Sequence, residues 1–290
     1  MPPPFEQYGR RAPPEPPRDD SNRPLKQDEP HEEAQKSYHT ILEQEVSSAE
    51  EELRRPAAGL LLSGLTAGLD IGFGPLAMVV LSSRLDTVLS EPVLHVLMAN
   101  VYSVGFIFVV LGRSALFTEH TTSATLPVLE RRASIGQLMR LWGLVLVGNL
   151  VGCVVFAAFA TQLLPRLGVG SPATFGKLAH DLVATSSGVM FMSAVMAGWV
   201  MGLLSWLVTA ARESMSQIVC VWLTATVIGL AGFHHSVAGS VEVLSGVFLG
   251  QGATLADYGR FLLLSVPGNA VGGTVFVALL KWGHVQQSSS

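Results

Sequence analysis

The chain has few charged residues outside its first 56 positions, which argues against a soluble or nucleic-acid-binding protein. Of its 290 residues, 14% are charged and 49% are hydrophobic, whereas about a quarter of a typical soluble domain is charged. Residues 1–56 hold 21 of the 40 charged residues, so the remaining 234 hold only 19. The net charge is −4, and the body carries an excess of one basic residue. No basic surface for a nucleic acid is predicted.

Cysteine is also scarce. The chain has two cysteines, Cys153 and Cys220, and both lie inside apolar runs. This spacing excludes a disulfide framework and a cysteine-rich metal site. The sequence also contains no nucleophile triad, phosphate-binding loop or metal-ligand cluster. We therefore predict no enzymatic activity, no cofactor and no metal site.

The N-terminal region differs in composition from the body. It holds ten of the sixteen prolines, and residues 1–39 are predicted to be a disordered Pro- and charge-rich tail without the apolar segment of a secretory signal. Residues 40–56 are predicted to form a short amphipathic interfacial helix, although a solvated charged helix fits equally well. Its apolar stripe would consist of Ile41, Leu42, Val46 and Leu53. The transmembrane domain is predicted over 57–284, and 285–290 as a disordered C-terminus.

Six long apolar runs follow Pro56. A helix needs about 20 residues to cross a bilayer, and each run is long enough. The second and fifth runs are too long for one straight helix, and the polar patches Phe117–Ser123 and Gly232–Ser236 interrupt them. Irregular backbone at membrane depth must be satisfied by protein or line a cavity, so we predict two broken helices. The predicted spans are 57–83, 94–130, 138–164, 182–211, 217–251 and 259–283.

Two stretches in the third and sixth spans are nearly identical. GNLVGCVVFAA begins at Gly148 and GNAVGGTVFVA begins at Gly268, and they share seven of eleven residues. Because each half makes three crossings, the halves must have opposite orientations, as in transporters built from inverted repeats. The fold class is therefore predicted to be an all-α membrane protein with an inverted 3+3 repeat. Close helix packing is assigned to Gly148, Asn149, Gly152, Gly268, Asn269 and Gly272.

Basic residues predict the orientation in the membrane. Seven of the basic residues near span ends fall on the side of the termini and four on the other side. Because positively charged loops favour the cytoplasm, both termini are predicted to be cytoplasmic.

Four motifs now carry a family resemblance: LFTEHTTSATLPVL, GQLMRLWGLVLVGNLVG, GFHHSVAG and GNAVGGTVFVALLKW. In this order they resemble the formate/nitrite transporter family over about 57–283. The resemblance implies an aquaporin-like protomer, a homopentamer in the lipid bilayer of the bacterial plasma (inner) membrane, and one pore in each protomer. It also implies small monovalent anions such as formate, nitrite, hydrosulfide or lactate as solutes.

The resemblance assigns roles to single residues. His235 matches the central pore histidine, Thr118 the loop threonine that approaches it, and Leu116 and Phe117 an apolar constriction. An anion in such a constriction is costly unless a proton, cation or dipole meets it, and a neutral imidazole can supply a proton or a hydrogen bond. The other candidates along the pathway are Phe233, His234, Glu119, His120 and Asp70.

Some positions depart from the family pattern. Ala115 and His234 stand where the family often has an acid, and Gly198 where it commonly has an asparagine. Asp70, Arg113 and Glu119 add ionisable groups at membrane depth, where they either line the pore or neutralise one another in a buried cluster. A carboxylate in the pore would disfavour anions. The alternatives are therefore a pore for a cation or a neutral solute such as ammonia, or a membrane scaffold that transports nothing.

Overall fold

The computed structural model describes residues 36–288, and every regular element within them is helical. A short 3₁₀ turn, Pro165–Leu167, follows α7, and a π-helical stretch, Thr274–Leu279, joins α12 to α13. The helices are α1 (Tyr38–Arg54), α2 (Ala57–Asp70), α3 (Phe73–Leu85), α4 (Glu91–Leu111), α5 (Phe117–Ser123), α6 (Leu126–Leu129), α7 (Ile135–Leu163), α8 (Pro172–Val183), α9 (Ser187–Ala210), α10 (Ser214–Ala231), α11 (Ala238–Leu249), α12 (Leu255–Gly273) and α13 (Leu280–Ser288).

Six helical segments in the described part of the chain are long and apolar enough to cross a membrane, as predicted. Spans two and five are broken: α4 ends at Leu111 before α5 begins, and α10 ends at Ala231 before α11 begins. The fold-class prediction is confirmed. The crossing segments are Ala57–Leu85, Glu91–Leu111, Ile135–Leu167, Ser187–Ala210, Ser214–Ala231 and Leu255–Gln287.

The two halves of the body run in opposite directions. The described ends lie on one side, where the rings of Tyr38 and His284 are 5.0 Å apart. We call this the terminal side; the distal side is the opposite one, where α8 connects α7 to α9. The broken span of the first half enters from the distal side through α4, and that of the second half enters from the terminal side through α10.

Very close helix contacts support both halves in the same way. A Cβ atom on Gly68 would lie 2.1 Å from the carbonyl oxygen of Asn149, and one on Gly198 would lie 2.1 Å from that of Asn269. No side chain fits at either position without moving the backbone of the facing helix. The family commonly has an asparagine at the position of Gly198. In this protein the facing helix leaves no room there for such a side chain.

Besides shifts of up to four residues at the other span ends, three features differ from the prediction. Span one bends between α2 and α3, at Ile71 and Gly72, where no break was predicted. The fourth span begins at Ser187, because residues 182–183 end the separate helix α8. Residues 285–288 are helical rather than disordered, because Val285 is buried against Leu126 and Trp206. Residues 289–290 lie outside the described residues.

Helix α1 occupies most of the segment predicted to be an interfacial helix. The Ser37 hydroxyl caps it by accepting the Thr40 N–H at 3.1 Å. The predicted apolar stripe is buried against the protein body rather than turned towards lipid, and a position at the membrane interface stays a prediction. The predicted tail 1–39 lies outside the described residues except for 36–39, where α1 begins.

Candidate solute pathway

Asn149 holds the break in span two. Its Nδ2 donates to the carbonyl oxygens of Gly64 and Ala115, both at 2.8 Å, and its Oδ1 accepts the Phe117 N–H at 2.9 Å. Backbone groups that leave a helix at membrane depth need such partners, because no water is available to replace them. Asn149 therefore supplies hydrogen-bond partners to the backbone groups on both sides of Leu116.

Asn269 does the same for span five. Its Nδ2 donates to the carbonyl oxygens of Ala194 (2.8 Å) and His234 (2.9 Å), and its Oδ1 accepts the Ser236 N–H at 2.8 Å. The two asparagines, assigned from sequence to helix packing, thus also fix the two loops. Leu116 and His235 are the residues between the clamped positions.

The clamped loops bring Thr118 and His235 together. The His235 Nε2 atom lies 2.8 Å from the Thr118 hydroxyl oxygen, and its Nδ1 accepts the Ala238 N–H at 3.1 Å. Since an acceptor nitrogen carries no proton, the ring is assigned as the neutral Nε2–H tautomer, which donates to Thr118. The exposed fractions of His235 and Thr118 are 1% and 0%. Both side chains are therefore shielded from solvent.

Apolar side chains surround the contact. The Phe106 ring meets the His235 ring edge-on, with centroids 5.0 Å apart, and Leu116 and Phe117 are buried beside the loop. The N-terminus of α11, which carries a partial positive charge, lies at His235. The arrangement offers one hydrogen-bond donor and one hydroxyl among apolar side chains. Phe106 carried no sequence signal that pointed to this role.

His234 has different surroundings from His235. Its Nδ1 lies 2.8 Å from the Ser193 hydroxyl and its Nε2 lies 2.8 Å from the Leu182 carbonyl oxygen. Both ring nitrogens are thus occupied by α9 and the end of α8, and His234 anchors these helices rather than facing Thr118. Phe233 is half-buried and packs against the main apolar core.

Glu119 and His120 line a vestibule on the terminal side of the constriction. Its volume is about 650 Å³, and α1 forms part of its wall. Trp142 donates from Nε1 to the His120 carbonyl oxygen at 3.0 Å, which fixes the loop end of this wall. Five acidic residues face three basic ones in the lining: Glu43, Glu45, Glu51, Glu52 and Glu119 against Lys36, Arg55 and Arg113.

Asp70, Arg113 and Glu119 form no neutralising cluster. Arg113 is exposed, and none of the salt bridges within residues 36–288 involves any of the three. Asp70 ends α2 at the bend of span one, and Ser114 donates its hydroxyl to the Val109 carbonyl oxygen at 3.4 Å. Glu119 and Arg113 line the vestibule, and the pore-lining alternative stays a prediction.

Glu45 attaches α1 to the body. Its carboxylate, 4% exposed, accepts hydrogen bonds from the hydroxyls of Ser205 (3.0 Å) and Thr209 (2.6 Å) on α9. Burial raises the pKa of this carboxyl above its ordinary value, although the two hydroxyls oppose the shift. The sequence showed Glu45 only as one of several acids in a charged helix.

Residues 39–283 match the family model described as formate/nitrite transporter. The chain is 35% identical over 243 residues to the inner membrane protein YfdC of Escherichia coli (strain K12), a match that covers 83% of this chain and 76% of that protein.

Two solved structures share the fold. An FNT family ion channel superposes with a TM-score of 0.76 at 24% identity, covering 84% of this chain and 98% of that chain. A pentameric formate channel with formate bound gives 0.66 at 23% identity, covering 79% and 98%.

Proposed function

The chain belongs to the formate/nitrite transporter family, whose members are transporters and channels rather than enzymes, and we propose that it moves small monovalent anions across the membrane. Formate and nitrite are the first candidates, because the family is named for them. Hydrosulfide and lactate have the same charge and are also small. The proposal includes both a channel and a proton-linked carrier.

The contact between Thr118 and His235 carries the proposal. A bare anion in an apolar constriction faces a cost of several kcal/mol even after relaxation. The neutral His235 ring can turn its Nε2–H from Thr118 to a passing anion or acid, and the α11 N-terminus adds a favourable partial charge. A permanent cation at this point would hold the anion instead of releasing it.

Assembly and location extend the proposal. We propose a homopentamer with one pathway in each protomer, supported by the similarity to a structure described as a pentameric formate channel. An inner-membrane location is supported by the relative named inner membrane protein YfdC, and the excess of basic residues on the terminal side supports cytoplasmic termini.

A cation or neutral solute such as ammonia is the second candidate, and the vestibule favours it. Its lining has five acidic and three basic residues, and Glu119 follows Thr118 directly. An excess of carboxylates concentrates cations and repels anions. An anion would therefore cross this vestibule most easily as its neutral acid.

Uptake by the purified full-length protein in lipid vesicles tests the function. We expect uptake of formate or nitrite, and we expect His235→Asn to form the same oligomer but lose most of it, because its shorter amide cannot reproduce the Nε2–H bond. His180→Asn is the matched control, since that histidine is exposed on α8. Uptake of ammonium alone, weakened by Glu119→Gln, would favour the second candidate. The absence of any uptake would favour a scaffold.

A further inference from the structure

Arg113 has a backbone conformation that favours glycine. It follows α4 at the break in span two, and its φ is +54°. Its N–H donates to the Val110 carbonyl oxygen at 3.2 Å, and the Ser114 N–H donates to that of Val109 at 3.1 Å. These two bonds end α4 with a left-handed turn. A side chain at such a position costs conformational free energy that a glycine does not.

The second half of the protein has glycine at the equivalent position. Gly232 ends α10 with a φ of +64°. It precedes His235 by three positions, just as Arg113 precedes Leu116 by three. Its N–H donates to the carbonyl oxygen three residues earlier, at 3.3 Å, as that of Arg113 does. The same turn thus bears a side chain only in the first half, and the strained position of Arg113 points to a role for that side chain.

Arg113 also lies near the middle of the membrane-spanning bundle. Asn149 stands at the centre of α7, and it clamps Ala115, two residues beyond Arg113. A guanidinium is always charged, and a charge at membrane depth is costly unless it reaches water or a partner. Such a group is therefore a candidate functional group.

The vestibule gives the exposed Arg113 side chain access to water. Residues 113–115 line it before the loop of span two, and residues 119–120 line it after that loop. Residues 116–118, which lie between them, are buried. An anion bound by Arg113 would therefore lie beside the loop that carries Thr118.

Arg113 has no anionic partner within residues 36–288, because none of the salt bridges there includes its guanidinium. The other two basic residues of the vestibule lining are occupied. Arg55 pairs with Glu52 at 2.9 Å, and Lys36 donates to the Thr209 carbonyl oxygen. Of these three described cations, Arg113 is the one whose donors are free to bind a solute.

The acids of the vestibule leave this cation unpaired. Three of the five are held by arginines or by hydroxyls of α9. The other two, Glu51 and Glu119, form no ion pair with Arg113. Their charges lower the affinity of the vestibule for an anion, so that a bound anion is also released.

We propose that Arg113 binds planar anions with two oxygens on one atom as they enter from the terminal side, an inference that rests on the proposed function. A guanidinium presents parallel N–H donors whose spacing matches a carboxylate. Formate and lactate carry a carboxylate, and nitrite has a similar bent pair of oxygens. Hydrosulfide has one sulfur atom and no such pair. Arg113 therefore selects formate and nitrite over hydrosulfide.

Uptake measured over a range of solute concentrations tests this role, in vesicles that hold the full-length protein with its terminal side outward. For Arg113→Gly we expect half-maximal uptake of formate and nitrite at about tenfold higher concentration, because a hydrogen-bonded charge pair is lost. The maximal rate should stay near that of the wild type, since the contact between Thr118 and His235 is unchanged. Glycine suits the positive φ, so the variant should assemble.

Arg131→Gly is the matched control. Arg131 is also exposed and has a φ of +58°, but it lies outside the vestibule lining. The control removes the same charge from the same kind of turn, and it should behave like the wild type. An equal rise in the half-maximal concentration for both variants would overturn the proposal.

Arg113→Lys separates charge from shape. A lysine keeps the positive charge but lacks the paired donors. The half-maximal concentration should still rise for formate and nitrite, whereas that for hydrosulfide should equal the wild-type value. A lysine variant that matches the wild type for all three solutes would overturn the selection of planar anions.

Binding of labelled formate to the purified oligomer distinguishes the failure of this role from that of the proposed function. If the wild type carries no anion but binds formate, and Arg113→Gly abolishes the binding, only the proposed function is overturned. If the wild type carries formate and Arg113→Gly has the same half-maximal concentration, only the role of Arg113 is overturned. Loss of the oligomer in Arg113→Gly but not in Arg131→Gly would also overturn it, because the guanidinium would then serve assembly.

Discussion

Replacing Asn269 by Ala removes all three hydrogen bonds that hold the break in span five. After the change, the His234 carbonyl oxygen and the Ser236 N–H keep no other hydrogen bond within residues 36–288. The third partner, the Ala194 carbonyl oxygen, lies inside α9 and keeps its place in the helix ladder. Two buried backbone groups are therefore left without a partner.

The expected loss of stability follows from these two groups. A buried polar group without a partner costs about 1–3 kcal/mol, so the pair costs about 2–6 kcal/mol. At about 2–4 °C in the melting temperature for each kcal/mol, the total is about 4–24 °C. Asn149→Ala removes the equivalent bonds in span two and should cost a similar amount.

Thermal unfolding of the purified oligomer in detergent measures the effect, and Asn100→Ala is the matched control. Asn100 donates to the Val96 carbonyl oxygen at 2.7 Å and accepts from the Trp222 ring at 3.0 Å, but it is half-exposed, so its loss should cost less than about 1 kcal/mol. If Asn269→Ala unfolds at the same temperature as Asn100→Ala, the clamp contributes nothing to stability and the reasoning is wrong.

Two further predictions concern α1 and the helix contacts. The pKa of Glu45 is raised above its ordinary value of 4.5. Its contribution to the stability of α1 packing on the body is therefore present in acid, and it is lost as pH rises through the raised pKa. Hydrogen exchange along α1 should show this extra pH dependence in the wild type but not in Glu45→Gln, and identical behaviour would contradict it. Gly198→Ala places a Cβ 2.1 Å from the Asn269 carbonyl oxygen and should cost about 1–3 kcal/mol in thermal unfolding. Gly188→Ala in the same helix meets nothing within 4 Å, and an equal loss there would refute the steric argument.

The six spans and the two breaks could be predicted because they depend on features that a sequence displays directly. Long apolar runs give the crossings, and polar patches such as Phe117–Ser123 give the breaks. The bend at Ile71 and Gly72 was missed because a single polar residue, Asp70, precedes it rather than a polar patch. Val285 was missed because one apolar residue in a polar end gives no pattern, and its burial depends on Trp206 from another span.

In the candidate site, too, some contacts could be predicted from the sequence and others could not. The pairing of Thr118 with His235 could be expected from the family motifs, and the structure places them 2.8 Å apart. The different surroundings of His234 could not be expected, since adjacent histidines look alike in sequence. They depend on Ser193 and Leu182, which lie 41 and 52 residues away.

The residues that the two halves share and the residues at which the halves differ have separate roles. Asn149 clamps Ala115 and Phe117, and Asn269 clamps His234 and Ser236, so both halves build their loop from the same bonds. Yet the residue between the clamped positions is Leu116 in one half and His235 in the other. A symmetric scaffold thus holds an asymmetric pair of loops. We therefore expect the chemistry of the proposed pathway to lie in the residues that differ between the halves, and His235 is such a residue.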